Sequence, residues 1–156
     1  FNAGGKGYGL WVYNTLCHPY FTMLDIDPCN PHRLVPDSIN FYPSALIMKY
    51  LPTGTDIVKS DITGCILNGK QRVFATVGVK DKQISILLVN DSECQASIVV
   101  EGVRESCEFH YLYICDGKTD GIYSEPPVRL NNQHPIIIRP RSIVVLTTNT
   151  CSNQFV

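Results

Sequence analysis

Side-chain chemistry usually begins with a pair of carboxylates, a nucleophile beside a base, or a cluster of metal ligands. In this chain of 156 residues the carboxylates are unevenly placed. No Glu precedes Glu93, and Glu93, Glu101, Glu105, Glu108 and Glu125 all fall among β-like runs. Asp25, Asp27 and Asp37 could line a cleft, but they stand among prolines, where Asp commonly serves turns and caps. His18, His32, His110 and His134 are scattered. Cys17 and His18 are neighbours, yet adjacent residues on a strand point to opposite faces, so they do not make a nucleophile–base pair. The glycine-rich opening "NAGGKGYG" lacks the GxxxxGK[ST] order of a phosphate loop and precedes a strand rather than following one.

The seven cysteines are Cys17, Cys29, Cys65, Cys94, Cys107, Cys115 and Cys151. They lack CxxC pairs and clustered His partners, so a zinc site is not expected and disulfides in an oxidising compartment are. Their odd number leaves one over. Cys94 with Cys107 is a candidate bridge, because the two flank an expected hairpin. Asn90-Asp91-Ser92 is an acceptor triplet for N-glycosylation and fits the same compartment. The expected localisation is secreted or lysosomal.

Composition bounds the rest. A hydrophobic fraction of 44% with 17% charged residues can bury a core. The net charge is −1 and no Lys/Arg cluster occurs, so a nucleic-acid partner is not expected. No apolar run approaches the ~20 residues that span a bilayer. The first residues lack the basic start and apolar stretch of a signal peptide, and no initiator Met is present. A processing site or an arbitrary boundary before Phe1 is the expectation. No cofactor is expected.

From about Thr55 onward, short alternating runs are punctuated by turn residues. "RVFATVGVK" sets Val73, Ala75, Val77 and Val79 against Phe74, Thr76 and Gly78. "QISILLVND" sets Ile84, Ile86 and Leu88 against Ser85, Leu87 and Val89. "ASIVVEG", "EFHYLYICD", "PVRLNN", "PIIIRP" and "SIVVLTTN" follow. Period-two runs with turns every ten residues or so predict an antiparallel β-sandwich over 53–156. Phe109, Tyr111 and Tyr113 should bury one face, and Pro140 should mark a bend between strands. Residues 1–52 read differently: a strand in "YGLWVYNTL", a long proline-rich loop around an extended "FTMLDI", then a helix over Asn40–Leu51. Pro43 suits its first turn, and Pro52 and Gly54 end it. Tyr42, Ala45, Leu46 and Tyr50 form its apolar face, with Phe41 and Met48 beside it. A single β/α unit cannot bury its own faces, so this one is expected to sit on something larger.

"YPSALIMKYLPTGTDIVKSDI" resembles the passage in retaining (β/α)8 glycoside hydrolases where the last barrel helix, of "P-S-Y-Y-A-L" type, meets a "Y-L-P-x-G" stop and enters a C-terminal β-sandwich. "ISILLVNDS" resembles a sandwich strand of that group, and "HPIIIRPRSIVVLTT" its closing strand pair. The relatives meant are β-xylosidases, arabinofuranosidases, heparanase-like and glucocerebrosidase-like enzymes. The resemblance implies a mainly β chain: an antiparallel β-sandwich preceded by one β/α unit that completes a TIM barrel formed mostly by another chain or a missing segment. "GLWVYN" would be the eighth barrel strand. Trp11 would then be a sugar platform, with Tyr13 and Asn14 at the mouth where barrel active sites are built. Without the resemblance, Trp11 reads as an ordinary core aromatic.

Such enzymes need two carboxylates about 5 Å apart, normally Glu on the fourth and seventh barrel strands. Both would lie on a larger N-terminal catalytic chain of the same precursor. The expected role is therefore a non-catalytic chain that completes and stabilises a glycosidase acting on a carbohydrate substrate. A second expectation is a stand-alone carbohydrate-binding or adhesion module with exposed aromatics such as Tyr113 or Tyr123. A third is a structural or viral surface domain without sugar chemistry.

Overall fold

The computed structural model of the chain describes residues 24–27, 29–36, 41–64, 66–104, 107–115, 121–131 and 135–149; for 24–27, 31–36, 66 and 67 it describes the backbone. The elements run β1 (Leu24–Asp27), β2 (Asn30–Pro36), α1 (Phe41–Tyr50), β3 (Asp56–Val58), β4 (Ile66–Leu67), β5 (Lys70–Gln71), β6 (Val73–Lys80), β7 (Gln83–Asn90), β8 (Ala96–Ile98), β9 (Glu108–Cys115), β10 (Tyr123–Arg129), β11 (Ile136–Ile138) and β12 (Ser142–Thr147). Among the described residues the architecture is mainly β, with antiparallel sheets and one helix.

The central sheet has six strands in the order β10-β9-β12-β7-β6-β3, and β11 pairs with β8 in a second sheet. One face of the central sheet packs Ile86, Leu88, Phe109, Tyr111, Tyr113, Val144 and Leu146 with Ile136 and Ile138 of β11 in one core. Ala96 and Ile98 of β8 close on the same core. The other face receives α1: Leu46 and Tyr50 pack with Leu87 and Val145, flanked by Leu112, Ile114 and Ile143. Strands β7 and β12 are thus covered on both sides. That is why "SILLV" and "SIVVL" read as nearly continuous apolar runs rather than as clean alternation. The polar groups left between sheet and helix satisfy one another: the Ser85 and Thr147 hydroxyls lie 3.1 Å apart.

The turns follow backbone chemistry. Asp81 and Lys82 both have positive φ (50° and 65°), the signature of a two-residue turn whose twist matches the strands it joins. Asn68-Gly69, with φ of 52° and 71°, makes the same turn between β4 and β5. Pro140 and Arg141 turn the chain from β11 to β12, as Pro140 predicts. The helix ends as expected: Leu51 N–H donates to Ile47 O at 2.8 Å, Gly54 takes φ of 83°, and Thr55 donates to Pro52 O from N–H and Oγ1.

Three expectations change. The proline-rich loop contains a hairpin, because β1 and β2 pair antiparallel. Strand β10 starts earlier than "PVRLNN" and carries Pro126 and Pro127 inside it; the sheet tolerates them because β10 is an edge strand and its register shifts between Glu125 and Val128. The helix buries its apolar side on the chain's own sandwich, so its hydrophobic face does not by itself require a barrel. Of its residues only Met48 is exposed, at 57%. The strand "GLWVYN" lies outside the described residues.

Candidate functional site

Trp11, Tyr13, Asn14, Cys17, Cys65 and Cys151 lie outside the described residues. Asn90 closes β7, and its side chain is buried rather than displayed, at 1% exposure. Cys94, Cys107 and Cys115 are free thiols, so the Cys94–Cys107 bridge is not formed. The reason is topological. Strand β8 pairs with β11, and β9 pairs with β10 and β12, so the segment between these cysteines crosses from one sheet to the other and is not a hairpin. Cys29 is exposed, and no disulfide joins two described cysteines.

The aromatics also face inward. Tyr113 is 5% exposed; its ring stacks on Tyr123 at 5.5 Å between centroids and meets Tyr111 edge-on at 6.0 Å. The Arg139 guanidinium lies over the Tyr113 ring at 5.0 Å. Tyr113 and Tyr123 are therefore core and stacking groups rather than open sugar platforms. Alternation along β9 shows which residues share a face. It does not show that a second sheet covers that face.

A groove of about 620 Å³ runs between edge strand β10 and β11. Tyr111, Glu125, Pro126, Pro127, Ile137 and Arg139 line it. Tyr111 Oη donates to Ile137 O at 2.9 Å, and Arg139 Nη2 donates to Glu125 Oε1 at 3.0 Å. Burial, reinforced by the charge of Glu125, pushes the Tyr111 hydroxyl up to about 12. The hydrogen bond to Glu125 in turn raises Arg139 above its ordinary value. The groove is lined largely by proline and aliphatic side chains, with one compensated carboxylate. It has no second carboxylate with which to run acid–base chemistry. A second cavity, of about 560 Å³, is lined by Ala75, Val77, Ile86 and Leu88 of the central sheet together with Ile98 and Val100.

Other acidic groups are tied to arginines at the surface. Asp91 accepts from Arg72 and Arg141, each at 3.1 Å, and Glu93 accepts from Arg141 Nε at 3.0 Å. Among the described residues no group of three or more His, Cys, Asp or Glu could hold a metal ion, and no helix is long and apolar enough to cross a membrane. His110 is half-buried on β9, opposite Thr147, as a histidine alternating into a strand is expected to be.

A mainly antiparallel sandwich with one helix on its outer face defines the structural class. No family model matches the chain, and no curated protein matches it. Solved structures do. The catalytic domain of GH30 xylanase C from Talaromyces cellulolyticus superposes with a TM-score of 0.63 at 11% identity, over 83% of this chain and 27% of that one. A conserved exported protein from Bacteroides fragilis gives 0.64 at 9% identity, over 81% and 26%. A GH30 endoxylanase from Clostridium papyrosolvens gives 0.55 at 12% identity, over 70% and 27%. At such identities the likeness is one of fold alone: the chain shares the fold of part of these structures and spans about a quarter of their length.

Proposed function

We propose that the chain is the non-catalytic C-terminal part of a retaining glycoside hydrolase. Residues 1–52 would contribute the last β/α unit of a (β/α)8 barrel, and 53–156 the accessory sandwich. A larger N-terminal chain or segment of the same precursor would carry the two catalytic Glu residues, and the assembled enzyme would act on a carbohydrate in a secreted or lysosomal setting. Trp11, Tyr13 and Asn14 would border its substrate cleft. One observation carries this reading: the sandwich and helix resemble part of GH30 enzymes, of whose length this chain covers about a quarter. Glu125, Asp91 and Glu93, each held by an arginine, form no usable carboxylate pair, which agrees with a supporting role.

Native mass spectrometry with and without reductant tests it, since it reads partner mass and disulfide state together. The expected result is a complex with a chain of roughly 30–40 kDa, from the ~250-residue size of such barrels. A soluble monomer that binds glycans unaided would favour the alternative, a stand-alone carbohydrate-binding or adhesion module. That alternative draws support from α1, which is packed on the chain's own sheet.

A further inference from the structure

Asn90-Asp91-Ser92 satisfies the acceptor pattern for N-glycosylation, yet the fold has given its amide another task. Asn90 ends β7 in the central sheet. Its Nδ2 donates to Cys94 O at 2.8 Å, just before β8, and to Arg139 O at 2.9 Å, just after β11. Its Oδ1 accepts from Ser92 N–H at 3.2 Å and lies 2.7 Å from Ser92 Oγ. Ser92 Oγ accepts in turn from Cys94 N–H at 3.2 Å. One side chain thus pins two of the four points at which the chain passes between these two sheets: the β7–β8 crossing and the β11–β12 crossing.

We infer that a glycan on Asn90 and closure of the sandwich exclude one another, so that the folded protein carries Asn90 unmodified. The argument is an atom count. The amide nitrogen has two hydrogens and two well-placed carbonyl acceptors. N-glycosylation replaces one hydrogen with the anomeric carbon of a sugar, leaving one hydrogen for two acceptors. The carbonyl that loses its amide donor is Arg139 O, or Cys94 O, which is left with the Ser92 hydroxyl 2.8 Å away, and losing a donor in this part-buried cluster is costly. The sugar ring would also have to occupy the space beside a nitrogen whose residue is 1% exposed, between β8 and β11. Making that room lifts the second sheet off the first. The same triplet that marks an acceptor in an unfolded chain is, once folded, a three-residue clasp. The inference rests on the sandwich geometry alone and does not depend on the proposed enzyme.

The test is expression of the full chain in a secretory host that glycosylates a control variant. Asp81→Asn with Gln83→Thr places an acceptor triplet on the exposed β6–β7 turn. The control should gain one glycan in the soluble fraction. The wild-type soluble fraction should keep its unmodified mass, with any glycosylated wild-type molecules confined to retained or insoluble material. Soluble, folded wild-type chain that loses mass on enzymatic deglycosylation, with Asn90 converted to Asp, overturns the inference. A second measurement needs no glycan. Asn90→Asp keeps the shape but removes both donors, and it should lower the melting temperature by roughly 5 °C or more. An unchanged melting temperature would show that Asn90 is no pin, and the mutual exclusion would fall with it.

Discussion

The side chain of Leu51 occupies the space that a β-carbon on Gly78 would need. Thr55 closes the same space, with Cγ2 only 2.6 Å from that position. The helix exit and strand β6 therefore approach as closely as glycine allows. Gly78→Ala should cost about 1–3 kcal/mol by overpacking. Thermal unfolding of the two single variants and of the Gly78→Ala, Leu51→Ala pair checks it: the pair should lose less than the sum of the two single losses, because removing Leu51 relieves one of the two close contacts.

The two sides of α1 should respond differently. Leu46 is fully buried against Leu87 and Val145, so Leu46→Ala should cost about 2–5 kcal/mol. Met48 is exposed, so in the isolated chain Met48→Ala should stay within about 0.5 kcal/mol. If a barrel covers this side of the helix, Met48→Asp will leave the isolated chain's melting temperature nearly unchanged but weaken its association with the partner, measured by co-purification.

Stability at high pH should depend on Tyr111. Its folded-state value, about 12, lies above its ordinary 10.0 because burial, and then Glu125, disfavour the phenolate. Below pH 10 both folded and unfolded chains keep the proton, and the contribution is complete. Between pH 10 and 12 the unfolded chain releases the proton while the folded chain holds it, so stability falls as pH rises. Urea unfolding from pH 9 to 12 should show this slope. Tyr111→Phe should flatten it while costing about 1–3 kcal/mol at neutral pH, since Ile137 O loses its donor.

The sandwich was largely legible in the sequence, since alternation is set by which residues share a face. It placed β6, β7, β9 and β12, and it set the aromatic face of β9 inward. Alternation is blind to which strands are neighbours. The segment from Cys94 to Cys107 therefore read as a hairpin flank although it crosses between sheets, and the exposure that a stand-alone binding module would need of Tyr113 and Tyr123 is not found, since the two rings stack on one another and Arg139 lies over Tyr113. Strand β10 was partly hidden because Pro126 and Pro127 argue against a strand unless it is known to be an edge. Asn90 was legible as an acceptor triplet. Its burial was not, because Cys94 O and Arg139 O reach it from segments that only the folded topology brings together.

If the chain completes a glycosidase as proposed, its carboxylates should be dispensable for bond cleavage. Retaining hydrolysis needs two carboxyl groups about 5 Å apart, one of them able to exchange a proton with the leaving group. Glu125 is held by Arg139 and has no carboxylate partner in its groove. Asp91 and Glu93 are near one another but share the Arg141 guanidinium at an open surface, where both serve as its counter-ions. Glu125→Gln, Asp91→Asn and Glu93→Gln should each leave kcat/KM within about threefold of wild type, whereas losing a true acid–base group costs roughly 10²–10⁴. Steady-state kinetics on the co-purified complex separates the two cases. A hundredfold loss from any one of these substitutions would put catalysis on this chain, and the supporting role proposed for it would have to be abandoned.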